Sequence, residues 1–342
     1  MPKTRHRKSF VPALWISTVG AVALLVVIVM PRTLRAEWKW HAAVGAQSQD
    51  RGRQALAFLP NELWIHAGDT VTWKFEADDV HTVTFLRTVP GPQARPPFPV
   101  GCPGFSSEPA SFDGTTCVTT PPMVTGQRFS VTFPKKGNYK LVCLVHENMT
   151  GVVHVLDSLT PLPFDQEDYN EQAADQRRDI LSDADRGGHD GRREEADHHL
   201  GHGVIAGFGE VTANGGGSRT LSIMRFNHDT ITIHAGGTVE WTNEDPVTPH
   251  TITFGTEPAD PIPPSSNVTL DEDGARHVAI HRTSDSAHSG FILAAPQERL
   301  FLPQAPVGVT RFRVTFARAG TYPYICALHD DLGMKGKIIV LP

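Results

Sequence analysis

Two groups of four residues place soft and borderline donor atoms at a repeating spacing. Near the C-terminus the chain reads Cys326-Ala-Leu-His329-Asp-Asp-Leu-Gly-Met334, and halfway along it reads Cys143-Leu-Val-His146-Glu-Asn-Met149. Each follows a strand-like run with its own histidine, His81 in Val-His-Thr-Val-Thr-Phe and His250 in Pro-His-Thr-Ile-Thr-Phe. One thiolate, two imidazoles and a weak thioether form the donor set of a mononuclear blue copper centre. Thiolate and thioether favour Cu(I), whereas imidazole suits both oxidation states. A fixed compromise geometry then needs little rearrangement when one electron moves. The pattern predicts two such centres, hence two copper ions per chain. A lone Cys or Met is ordinarily core, and a lone strand histidine is ordinarily a surface or capping residue. The same four types in the same order, twice, are hard to ascribe to packing.

Such donors need a rigid frame. Tyr139-Lys-Leu-Val-Cys143 and Tyr322-Pro-Tyr-Ile-Cys326 would deliver each cysteine at a strand end, with His146 or His329 in the following turn. Loops at one end of a sandwich hold groups at fixed angles. The halves repeat: residues 58–73 align with 226–241, and 129–139 align with 312–322. Leu63, Ile65, Val71 and Trp73 alternate about a glycine turn, as do Ile231, Ile233, Val239 and Trp241. Period-two alternation with β-branched residues predicts half-buried antiparallel strands, and several per repeat predict an all-β sandwich. Trp73, Trp241, Phe133 and Phe316 read as core. His66 and His234 also repeat, but before Ala-Gly in a turn, and read as structural or exposed.

These motifs resemble the cupredoxins, the plastocyanin, amicyanin and azurin group, in a tandem membrane-attached form. The resemblance covers roughly 55–156 and 204–342. It implies two Greek-key sandwiches joined by a flexible acidic linker. It also implies ligands His81, Cys143, His146 and Met149 in the first, and His250, Cys326, His329 and Met334 in the second. The first loop has two residues between His and Met, as in amicyanin, and the second has four, as in plastocyanin. The implied role is one-electron transfer between redox proteins of an extracytoplasmic chain, without catalysis. An enzyme of the multicopper oxidase or nitrite reductase type would need further histidines. No His-x-His pair occurs, and neither Cys has an adjacent His. Copper storage or delivery stays open, because the linker contains His198, His199 and His202.

Length and composition fit this organisation. A chain of 342 residues suggests two domains plus extras. A net charge of −6 without a long basic stretch offers no nucleic-acid surface. Residues 12–31 carry no charge and are mostly apolar, long enough for a transmembrane helix at about 1.5 Å per residue. Lys3, Arg5, Arg7 and Lys8 precede them and favour a cytoplasmic segment 1–11, with the sandwiches outside. A cleaved signal peptide is the alternative, giving a secreted or periplasmic protein. Residues 157–203 are rich in charge and lack β-branched residues around Asp165 and Asp183, which predicts a flexible linker. Cys102 and Cys117 lie outside the donor motif, and a disulfide between them suits an oxidising compartment. His277, His281 and His288 fall in an insertion over 255–309 and match no metal-site spacing.

Overall fold

In a computed structural model of the chain, residues 38–89, 102, 104–186, 202–294 and 309–342 are described. The first repeat contributes β1 (Lys39–Gln47), β2 (Arg53–Leu59), β3 (Glu62–His66), β4 (Thr70–Phe75), β5 (Thr84–Phe85), β6 (Ala110–Ser111), β7 (Val118–Thr119), β8 (Arg128–Thr132), β9 (Gly137–Val142) and β10 (Thr150–Leu156). Helix α1 (Gln166–Arg186) follows. The second contributes β11 (Gly203–Asn214), β12 (Gly217–Phe226), β13 (Thr230–His234), β14 (Thr238–Glu244), β15 (Thr253–Phe254), β16 (Thr269–Leu270), β17 (Arg276–Ile280), β18 (Ala287–His288), β19 (Arg311–Phe316), β20 (Gly320–Ile325) and β21 (Lys335–Leu341).

Each repeat closes a sandwich. The sheet β3-β10-β9-β5-β7 faces half of a long sheet in the first, and β13-β21-β20-β15-β18 does so in the second. Strand alternation sends one face of each sheet inward. Trp73, Phe75, Phe85, Phe129 and Phe133 fill one core, and Trp241, Phe254, Phe312, Phe316 and Tyr324 fill the other. The aromatic residues read as core from the sequence therefore lie in the cores.

The sandwiches share a sheet. Its 11 strands run β16-β17-β19-β14-β11-β12-β2-β1-β4-β8-β6, and the seam is the antiparallel pair β2–β12. The alignment that matches Phe58 with Phe226 also matches Gln54 with Ser222, and these two are Cα partners across the seam. Equivalent positions thus meet about a local two-fold, as in an isologous interface. Residues Glu37–Pro342 form one compact unit.

Two expectations are corrected here. Part of the supposed flexible acidic linker is a 21-residue helix packed on the seam. Asp165 caps it: its carboxylate accepts from Glu167 N at 2.8 Å and Asp168 N at 3.1 Å, while Asp168 accepts from Asp165 N at 2.8 Å. This is a capping box, with Glu167 and Asp168 also favoured by the helix dipole. Tyr169, Ala173, Ile180 and Leu181 form its inward stripe, resting on Ala55, Ala57, Leu59, Leu221 and Ile223 and on Trp40. Small side chains on β2 let the helix lie close. The Tyr169 hydroxyl accepts from Trp64 N at 2.7 Å and donates to Trp64 O at 2.9 Å. Burial pushes its pKa up to about 12. The second correction concerns the membrane. No helix among the described residues is long and apolar enough to cross one. The long helix α1 is charged along its length and held by a narrow apolar stripe. The span expected at 12–31 lies outside the described residues. The described fold thus has no membrane-spanning helix, and the membrane attachment expected for its partners and location finds no support there.

Cys102 and Cys117 are disulfide-bonded, with Cα atoms 4.7 Å apart. His198 and His199 lie outside the described residues.

Ile180 seats α1 on strands from both sandwiches. Ile180→Ala is expected to lower unfolding free energy by about 2–4 kcal/mol in urea titration. An unchanged midpoint would show that the helix adds nothing to the seam.

Candidate metal centres

Threonine and glycine side positions decide how each donor group is built. His81 and His250 follow the strands β4 and β14, and each is followed by a threonine. Thr82 Oγ1 accepts from Leu144 N at 2.7 Å, and Thr251 Oγ1 accepts from Ala327 N at 2.7 Å. Each threonine thereby ties the residue after the cysteine to the residue after the first histidine. The loops close on themselves as well: Cys143 N donates to Met149 O and Cys326 N to Met334 O, both at 3.0 Å. The shorter loop turns through Asn148 at φ 58°, the longer through Gly333 at φ 95°. Asn and Gly are the residues that tolerate this left-handed region.

The resulting groups are buried and convergent. Donor atoms of His81, Cys143 and His146 lie within 4.8 Å of one another, as do those of His250, Cys326 and His329. The Nδ1 atoms of His81 and His146 are 3.1 Å apart, and those of His250 and His329 are 3.2 Å apart. Cys143 Sγ is 4.0 Å from His146 Nδ1, while Cys326 Sγ is 3.4 Å from His329 Nδ1 and 3.8 Å from His250 Nδ1. Imidazoles bound at about 2.0–2.1 Å to one tetrahedral ion have nitrogens roughly 3.3 Å apart, so the donor set fits an ion at its centre. Met149 and Met334 are wholly buried, Met149 in one core with Cys143 and Met334 in the other with Cys326. His146 is 4% and His329 5% exposed.

Backbone N–H groups point at the sulfurs. Thr82 N and His146 N each lie 3.4 Å from Cys143 Sγ, and Thr251 N lies 3.4 Å from Cys326 Sγ. Burial pushes the Cys143 thiol up, but His146 and these N–H groups outweigh it and bring it below the ordinary thiol range. Cys326 falls well below that range, because His329 and His250 together outweigh its burial. A lowered thiol pKa favours the thiolate, the metal-binding form.

The two groups differ in where their buried carboxylate sits. Asp79 lies 3.3 Å from His146 Nε2, on the histidine after the cysteine. Asp245 lies 3.9 Å from His250 Nε2, on the histidine before it, and also accepts from Ser222 Oγ. Burial drives His81 below the ordinary imidazole range. The same burial acts on His250, but Asp245 and Cys326 raise it to about 9. Each first histidine is pressed against a glycine of left-handed φ, Gly45 at 66° and Gly207 at 79°. A Cβ on Gly45 would lie 2.6 Å from His81 Nε2, and one on Gly207 would overlap the His250 ring.

Of the residues singled out in the sequence, the fold brings His81, Cys143 and His146 together, and likewise His250, Cys326 and His329, while Met149 and Met334 are buried in the same cores. The sequence reading passed over Thr82, Thr251, Asp79, Asp245, Gly45 and Gly207, which support them. The repeated His-Thr pair was the visible trace of the threonines. The acids left none, since Asp79 and Asp245 do not align in the repeat. The insertion histidines do not converge. His277 bonds Asp271 and Thr315, and His288 bonds Thr253 and Pro261 O. His66 bonds Thr160 O, and His234 bonds Pro342 O.

The family model for copper binding proteins of the plastocyanin/azurin family matches residues 45–156 and 213–341. Plastocyanin of Ginkgo biloba is 30% identical over 103 residues, which are 29% of this chain and 88% of that protein. Among solved structures, oxidised plastocyanin from Dryopteris crassirhizoma is 21% identical, covering 41% of this chain and 99% of its own, with a TM-score of 0.22. A reduced Cu(I) form of an amicyanin variant is 23% identical over 35% of this chain and 85% of its own, with a TM-score of 0.24.

Gly207→Ala should drive His250 out of line through both the clash and the φ value. Its expected effect is at least a tenfold loss of metal affinity at the Cys326 group, read by metal titration in a Cys143→Ala background. Thr82→Val leaves the buried Leu144 N–H without its acceptor, and urea unfolding should show a loss of about 1–3 kcal/mol.

Proposed function

Because the chain belongs to the plastocyanin/azurin family of copper-binding proteins, we propose that it is a type 1 copper protein with two mononuclear centres that carries single electrons between redox partners outside the cytoplasm. The family assignment and the two His/Cys/His groups support a blue-copper-like electron-carrier role. They likewise support a non-enzymatic protein. The observation that carries the proposal is the pair of buried, convergent cysteine–histidine groups, each in its own copy of one frame.

His81, Cys143 and His146 would hold one ion with Met149 as the weak axial contact. His250, Cys326 and His329 would hold the other with Met334. Copper so bound supplies a one-electron couple whose potential follows the axial contact and the hydrogen bonding around the sulfur. The chain's own residues do the rest. Thr82 and Thr251 fix the distance between the first histidine and the cysteine loop. The N–H groups at the sulfurs hold the thiolates in place. The surrounding apolar core excludes water, so the donors stay fixed through a change of charge. Burial of every donor favours a resident ion over readily exchanged cargo. The Cys102–Cys117 disulfide supports an oxidising, extracytoplasmic setting.

Purified protein should bind two equivalents of copper and show an intense thiolate-to-copper charge-transfer band in the visible, with narrow hyperfine splitting in EPR. Cys143→Ala and Cys326→Ala should each lose one copper and part of that band. Copper that both variants retain without colour would redirect the assignment to storage or delivery.

A further inference from the structure

Among the described residues the three sheets end in the edge strands β6, β16, β3, β7, β13 and β18. Strands β6, β7, β16 and β18 are two residues each, too short to template a neighbour. The longer edge β3 is covered. Val152 N donates to Asn61 O and Ala67 N to Leu156 O, so the alternate residues Glu62, Trp64 and His66 turn their main chain away from β10. There Tyr169 bonds both main-chain groups of Trp64, and Asp69 accepts from His66 N at 3.0 Å. The equivalent edge β13 has the same geometry without the cover. Lys337 N donates to Asp229 O and Ala235 N to Leu341 O, so Thr230, Thr232 and His234 turn their main chain away from β21. Gly237 stands where Asp69 does, and no group among the described residues bonds the outward main chain of Thr230 or Thr232. Thr230, Thr232 and His234 are all exposed, whereas Trp64 is half-buried and His66 buried.

We propose that β13 is a docking edge for a second copy of this chain, which pairs with it antiparallel about a two-fold axis at Thr232 and joins the two five-stranded sheets into one. The sequence of the edge supports a copy of itself as the occupant. Thr230-Ile231-Thr232-Ile233-His234 presents the same residue types in either direction and carries neither proline nor a carboxylate, lysine or arginine to repel its like. With Thr232 on the axis, Ile231 of each copy stands opposite Ile233 of the other, and Thr230 opposite His234. Ile233 lies in the core and Ile231 packs against it, so the apolar inner face runs on across the axis. The backbone agrees with this register. Opposed residues that turn their main chain outward exchange bonds in an antiparallel pair. The two copies of Thr232 therefore bond each other, and His234 N of each donates to Thr230 O of the other. His234 O already accepts from Gly237 N at 2.9 Å. The seam β2–β12 shows the same kind of antiparallel edge pairing within one chain. Five residues bury little area, so the association is reversible and concentration-dependent. It does not depend on metal at either donor group.

Sedimentation velocity of the full chain from about 1 µM to 1 mM tests this, and the expected result is monomer–dimer exchange. Thr232→Lys sets two like charges opposite each other on the axis and is expected to raise the dissociation constant at least about tenfold. Thr232→Glu alone is expected to do the same. An equimolar mixture of the two variants is expected to recover the dimer, because Lys then faces Glu. Thr232→Pro removes an outward N–H that no internal group uses and is expected to weaken the dimer as well. Thr269→Lys, on the exposed two-residue edge β16, is expected to change nothing. A chain that stays monomeric throughout overturns the proposal. So does an association that Thr232→Lys and Thr232→Pro leave unchanged, which would run through another surface, and so does a mixture that remains as weakly associated as its parts.

Discussion

The pairing of β2 with β12 is the contact on which the rest depends. Without it the chain is two sandwiches with donor groups at separate ends. With it, a single sheet runs through both. The contact is mostly backbone hydrogen bonding, so it constrains register more than composition. Only four residue pairs define it, and α1 reinforces them from one face with Ile180, Ala173 and Tyr169. The short side chains Ala55 and Ala57 are part of the same design, since a larger residue would lift the helix from the strands.

Within each sandwich, a second economy operates. The metal-site geometry is set by groups that do not bind metal. A threonine hydroxyl spans from one strand to the cysteine loop, a glycine without Cβ admits an imidazole, and an acid sits behind one ring. The two sites share the first two devices and differ in the third. Asp79 stands behind the downstream histidine and Asp245 behind the upstream one. Two groups with the same residue types are thereby given unlike electrostatic surroundings.

The His/Cys/His groups that converge were legible in the sequence because such side chains stand out at short, repeated spacings. The cores were legible because strand alternation is local. The seam was not, because nothing local distinguishes a strand edge that pairs with its own repeat from one that faces water. Gln54 and Ser222 carry no pattern that marks an axis. Helix α1 was misread for a compositional reason. The acidic stretches at its two ends dominate the window, while its buried stripe amounts to Tyr169, Ala173, Ile180 and Leu181. Four inward residues suffice when the surface beneath is already flat and formed. Asp79 and Asp245 were hidden because they occupy unaligned positions and act through space.

The local two-fold has a bearing on how such a chain must be handled. An antiparallel strand edge is a template for any matching strand, and β2 and β12 present such edges to each other. Carried on one polypeptide, the two edges meet as an intramolecular event, at an effective concentration set by the connection and independent of dilution. Cut apart, each half would carry an open strand edge. The covalent connection thus does more than link two carriers. It places the unlike pairing within one chain and ensures that the two donor groups always arrive together in a one-to-one ratio.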